Sequence, residues 1–128
     1  MGRVKSLAVL LAFAIGQHAL AAQPSARATE QLATDKGCYL CHRAKSVKSN
    51  PNGHLPHAPS WQDIARTYKG QRDAEDRLTE IVLGGSGEGP KDLHWRGKVS
   101  ERGMLPNVQQ VDEDQARQLV RWILSFAP

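Results

Sequence analysis

Cys38-Tyr39-Leu40-Cys41-His42 decides how the rest of this 128-residue chain is read. It holds the only two cysteines of the sequence, two residues apart and followed directly by an imidazole. A bridge between them would close almost no chain, and a disulfide stabilises less the shorter the loop it closes. The thiols therefore point to chemistry rather than to stapling. A thioredoxin-like redox pair requires a preceding strand in a βαβ context, and no alternating apolar segment precedes Cys38. Zinc is the sharper rival, because Cys38, Cys41, His54 and His57 spell C-x2-C-x12-H-x2-H. That pattern is one residue short of the usual finger spacing between histidines. The stretch between Cys41 and His54 also carries Pro51 and Gly53 and lacks a helical apolar stripe.

The reading that uses all five residues is covalent attachment of one haem c, for which C-x-x-C-H is the signature. Two thiols add across the two porphyrin vinyl groups, with the two intervening residues setting both sulfurs along one edge of the ring. The next residue is carried beneath the iron, where a neutral imidazole is a good axial ligand. Cys38 and Cys41 are thus the attachment residues and His42 the first iron ligand. For the opposite side, Met104 is the only methionine other than Met1. A lone methionine is more often core filler, but Met104 lies in Gly103-Met104-Leu105-Pro106-Asn107, in irregular backbone just before the last helical pattern. It is the expected second iron ligand, with His54, His57 and His94 as the alternatives.

Working outward, the chain opens with the basic Met1-Gly2-Arg3-Val4-Lys5, an apolar run from Leu7 to Ile15 and the small-residue stretch Ala19-Leu20-Ala21-Ala22. This pattern predicts a cleaved export signal at residues 1–21, the apolar run being about half the roughly 20 residues a membrane span needs. Residues 22–128 then form one domain. Of 17 Lys and Arg, two leave with the signal, so 15 basic face 13 acidic residues. That balance, +2, is too mild to argue for nucleic-acid binding. Four short helices are predicted. The first runs from Ala28 to Lys36 and stops at Gly37. The second is capped by Ser60 and ends at Gly70, and the third starts at Asp73 in the same way and stops at Gly84-Gly85. The last is capped by Asp112 with Gln115 at the reciprocal position, and carries an Ala116, Leu119, Val120, Ile123, Leu124 stripe. So few apolar positions make a thin core, which a large flat cofactor would thicken.

The set resembles a class I cytochrome c, particularly the small bacterial cytochrome c-551/c-552 (c8) group, over residues 26–127. The resemblance rests on C-Y-L-C-H after a first helix, A-P-S-W-Q-D-I-A at 58–65, a tryptophan in the central loop and G-M-L-P-N before an acidic-capped last helix. It implies an all-α cytochrome c fold in which the first and last helices cross beside the haem. It implies that the Pro59 carbonyl accepts from the ligand histidine, a role compatible with a helix-start proline. Trp95 is similar to a tryptophan that hydrogen-bonds a haem propionate, with plain packing as the alternative. Asn107 is similar to an asparagine that restrains the methionine loop, with a turn residue as the alternative. The loops 44–58 and 84–103 are longer than usual for the group. The function implied is a periplasmic one-electron carrier rather than an enzyme, with redox proteins as partners. The alternative is a dedicated haem subunit of an exported dehydrogenase or sulfur-oxidising complex. Lys36, Arg43, Lys45 and Lys48 flank the attachment site and would steer an acidic partner.

Overall fold

The computed structural model describes residues 23–47, 52–87, 94–100, 103–107 and 109–127. The predicted signal, Lys48 and part of each enlarged loop lie outside them. The described residues form four helices, α1 (Ala26–Asp35), α2 (Trp61–Tyr68), α3 (Ala74–Gly84) and α4 (Glu113–Leu124), with a 3-10 turn at Cys38–Leu40 and no strand.

Three of the four helices start where a side chain satisfies an amide of the first turn, which has no partner within the helix. α1 begins two residues before its apolar spacing suggests, because the Ser25 hydroxyl accepts from the Ala28 amide at 3.2 Å. Ser60 caps α2 through the Asp63 amide at 3.0 Å. Asp112 caps α4 through the Gln115 amide at 2.8 Å, and the Gln115 side chain returns the bond to the Asp112 amide at 3.3 Å. Asp73 does not follow them. Its ψ of 4° is close to helical, whereas Ser25, Ser60 and Asp112 have ψ of 155°, 154° and 175°. Only extended backbone turns a cap side chain onto the N2 and N3 amides, so Asp73 pairs instead with Arg77 at 3.7 Å.

α4 is the hub, packing on α1, α2 and α3. Ala33 of α1 and Ala116 of α4 are fully buried, and side chains this small let helices approach closely. The Gln118 amide donates to Thr29 Oγ1 at 2.9 Å across the same pair of helices. Trp61 is the centre of the core at 1% exposure. Its ring meets Tyr39 at 4.5 Å and Trp122 at 4.7 Å, both edge to face. Such pairs contribute about 0.5–1.5 kcal/mol beyond the area they bury. On the surface, Arg117 and Arg121 of α4 reach Asp76 and Glu75 of α3 at 2.8 Å each. These exposed pairs are worth about 0–1 kcal/mol apiece.

Candidate haem-attachment site

The attachment segment is aimed by the end of α1. Gly37 adopts φ 72°, a left-handed conformation open mainly to glycine, and its amide closes on the Thr34 carbonyl at 3.0 Å. The chain then winds into the 3-10 turn, where the Leu40 amide bonds the Gly37 carbonyl and the His42 amide the Cys38 carbonyl, both at 3.0 Å. Side chains three apart eclipse in a 3-10 turn. Cys38 opens this turn and Cys41 caps it, the three-residue step that addition to one porphyrin edge needs. Both thiols are unbridged, with Cys38 half-buried and Cys41 exposed. Burial pushes the Cys38 thiol up, partly opposed by a backbone hydrogen bond.

His42 follows with its Nδ1 2.8 Å from the Pro59 carbonyl oxygen. A carbonyl only accepts, so Nδ1 carries the proton and Nε2 is left as the basic nitrogen, the one a metal could take. Burial pulls the imidazole below its ordinary pKa, outweighing the opposing contact with Pro59, and favours the neutral form that a metal requires. The Trp61 ring lies nearly parallel to it, 20° off at 6.5 Å.

The Pro59 carbonyl is held in turn by the start of α2. The Arg43 and Ala44 carbonyls accept from the Trp61 and Gln62 amides at 2.9 and 3.1 Å, which ties the chain after His42 to the helix. Asp63 completes the tie, accepting from Ser46 Oγ and Ser60 Oγ at 2.6 Å each and pairing with Arg66. Burial pushes the Asp63 carboxyl up, but hydrogen bonds from Ser46, Ser60 and Arg66 outweigh it and hold the group below its ordinary value. Nothing in the spacing of Ser46 and Asp63, 17 residues apart, announces this contact.

Met104 is seated at the other end of α3. Its amide donates to Ser86 Oγ at 2.7 Å, and its carbonyl accepts from the Ser86 amide at 3.0 Å. Asn107 pins the same segment. Its amide bonds the Leu83 carbonyl and its side-chain nitrogen the Leu105 carbonyl, both at 3.0 Å, while its carbonyl accepts from Gln110 and Val111. Trp95 is half-buried against the core, with Lys98 Nζ 5.9 Å from its ring centroid. It borders a cavity of about 260 Å³ that Arg66, Thr67 and Lys98 also line. The sequence pointed to Met104, Trp95 and Asn107. It carried no hint of Ser86, which sits in the Gly84-Gly85-Ser86-Gly87 run and has no spacing signature.

The rival ligands fall differently. His54 and His57 share a cleft of about 470 Å³ with Cys41 and Arg43. No three His, Cys, Asp or Glu side chains among the described residues are grouped to hold a metal ion. His57 Nδ1 is 3.4 Å from Ser100 Oγ, and the Ser100 amide bonds the Pro56 carbonyl at 2.8 Å, so the two enlarged loops meet. His94 lies edge-on to Tyr68 at 5.9 Å.

Two unbridged thiols at the ends of one turn, an imidazole held neutral with its proton on Nδ1 and a thioether on a clamped loop fit a covalently held haem. An all-α fold built around that set defines a haem-carrying electron-transfer protein. The cytochrome c family profile matches residues 26–127. Cytochrome c-552 of Hydrogenobacter thermophilus is 40% identical over 100 residues, covering 77% of this chain and 82% of the relative. Cytochrome c-551 of Allochromatium vinosum is 37% identical over 109 residues, covering 84% and 96%. The crystal structure of wild-type Nitrosomonas europaea cytochrome c552 is similar with a TM-score of 0.57 and 28% identity, covering 76% of this chain and 98% of that one. The chain belongs to the cytochrome c family. It is an electron carrier with one covalent haem c and redox partners. No described helix is long and apolar enough to cross a membrane.

Proposed function

We propose that the protein is a periplasmic one-electron carrier whose haem is attached through Cys38 and Cys41 and whose iron is held between His42 and Met104. The observation that carries this reading is the 2.8 Å contact of His42 Nδ1 with the Pro59 carbonyl, which puts the proton on Nδ1 and leaves the Nε2 lone pair for an iron ligand bond. The haem supplies reversible Fe(III)/Fe(II) cycling, and the residues of the chain keep that cycling clean. Pro59 fixes the ring plane of His42, and the packed Trp61 excludes water behind it. Asn107 and Ser86 hold the loop that bears Met104. A neutral imidazole and a neutral thioether serve both oxidation states, so little rearrangement accompanies transfer. Trp95, at the edge of the cavity that Arg66 and Lys98 line, is suited to an anionic propionate.

The periplasmic location rests on the basic, apolar and small-residue leader at residues 1–21. Coverage of 82% and 96% of the two bacterial relatives favours a free carrier over a haem subunit of a larger enzyme. Arg43 and Lys45 are exposed beside the attachment segment, as is Leu40 at 84%. They give an acidic partner with an apolar centre a surface for brief encounters.

Spectroscopy of the mature holoprotein tests the ligation. The oxidised form should show a methionine–Fe(III) charge-transfer band, and the reduced form should not bind carbon monoxide. Met104→Ala should abolish the band and open the iron to carbon monoxide. Carbon monoxide binding by the wild type would overturn the reading.

A further inference from the structure

Ser86 is one of four buried polar residues among those described, at 9% exposure. A buried hydroxyl is normally hydrogen-bonded, and this one is taken up by the Met104 amide at 2.7 Å while the Ser86 amide grips the Met104 carbonyl at 3.0 Å. Both polar groups of a single peptide residue are therefore held by one partner. Fixing the nitrogen and the carbonyl carbon of a residue fixes its Cα–Cβ direction, and only staggered rotamers remain to be chosen.

Two glycines make room for the grip. A Cβ on Gly85, whose φ is +74°, would lie 2.6 Å from the Met104 carbonyl oxygen. A Cβ on Gly103 would lie 2.5 Å from the Gly87 carbonyl oxygen and 3.3 Å from Ser86 Oγ. The end of α3 and the methionine loop thus approach more closely than side chains at those positions would allow.

We propose that Ser86 is a positioning residue for the iron, acting through Met104: its hydroxyl holds the Met104 backbone so that the thioether stays on the iron against competing ligands. This rests on the His42/Met104 ligation reading. A thioether is a weak neutral ligand, so its hold depends on how little order must be imposed when it binds. A serine that only stabilised the fold would leave that hold unchanged.

The test is displacement of the methionine from the ferric holoprotein by added imidazole, followed through the charge-transfer band, beside guanidinium unfolding followed by far-UV circular dichroism. Ser86→Ala should bind imidazole about fivefold more tightly than wild type, the equivalent of one net hydrogen bond of about 1 kcal/mol. Ser86→Thr keeps the hydroxyl and should stay within about twofold of wild type. Should Ser86→Ala not fold, Gly103→Ala provides the second arm. It crowds the same contact with the serine in place and should also tighten imidazole binding. Unchanged imidazole affinity in a folded Ser86→Ala, or in Gly103→Ala where that arm is used, overturns the proposal, whatever happens to the unfolding midpoint. A wild type without the charge-transfer band overturns the ligation reading, and this proposal with it. A wild type that has the band alongside an indifferent Ser86→Ala sinks this proposal alone.

Discussion

Asp63→Ala should loosen the histidine side of the site without touching the histidine. The carboxylate accepts from two hydroxyls at 2.6 Å and pairs with Arg66, and it joins the strip after His42 to the start of α2. The Ser60 cap to residue 63 survives the change, because its donor is a backbone amide. What is lost is two hydroxyl-to-carboxylate bonds, each worth about 1.5 kcal/mol or more when buried. The Asp63 side chain is 35% exposed, and solvent screening brings each nearer to about 1 kcal/mol. The ion pair adds about 0–1 kcal/mol. The expected loss is therefore about 2–3 kcal/mol, read from guanidinium unfolding of the holoprotein at neutral pH. The pH dependence gives a second reading. The folded carboxyl is held below its ordinary value of 3.8, so the unfolded chain takes up the proton first. The contribution is complete above that ordinary value and is lost as pH falls through the lowered folded one. The stability gap between wild type and Asp63→Asn should accordingly narrow only in that acid window. A loss below about 0.5 kcal/mol at neutral pH, within the range of surface substitutions, would refute the idea that this carboxylate ties the segment down.

Gly85→Ala should be among the most damaging small changes, since the new methyl meets the Met104 carbonyl at 2.6 Å and the backbone φ is +74°. A loss of about 1–3 kcal/mol and a weakened charge-transfer band are expected in the oxidised holoprotein. Ala116→Leu overfills a fully buried position on α4 and should cost about 1–3 kcal/mol in thermal or guanidinium unfolding. Charge reversal at Arg43 and Lys45 should slow association with an acidic redox partner and flatten its salt dependence. An unchanged on-rate in stopped-flow mixing would remove those two residues from the docking surface.

Local signals were legible and relayed ones were not. The α4 pattern could be read outright because cap, capping-box partner and apolar stripe all fall within thirteen residues of each other. C-x-x-C-H was legible for the same reason, the 3-10 turn being a property of the segment itself. Asp73 shows the limit of such reading, since a capping residue type works only if its backbone is extended, and that depends on how the preceding turn packs. The Pro59 contact with His42 spans 17 residues and was reachable only through the family resemblance. Ser86 and Met104, 18 apart, were out of reach: a serine in a glycine run has no periodicity, and its role exists only once α3 and the loop before α4 lie side by side.

The histidine side grows from the end of α1 and is braced by the start of α2. The methionine side hangs on the end of α3, and α4 is the element that packs on all three helices. The buried apolar core among the described residues has eleven members, four of them alanine, which is little area to offset the chain entropy of a domain this size. A covalently held porphyrin would add apolar surface to that core, in a fold whose helices meet mainly through α4. Attachment chemistry and folding stability are then one problem. Because the haem cannot dissociate, the stabilisation it brings does not weaken on dilution as that of a reversibly bound cofactor does.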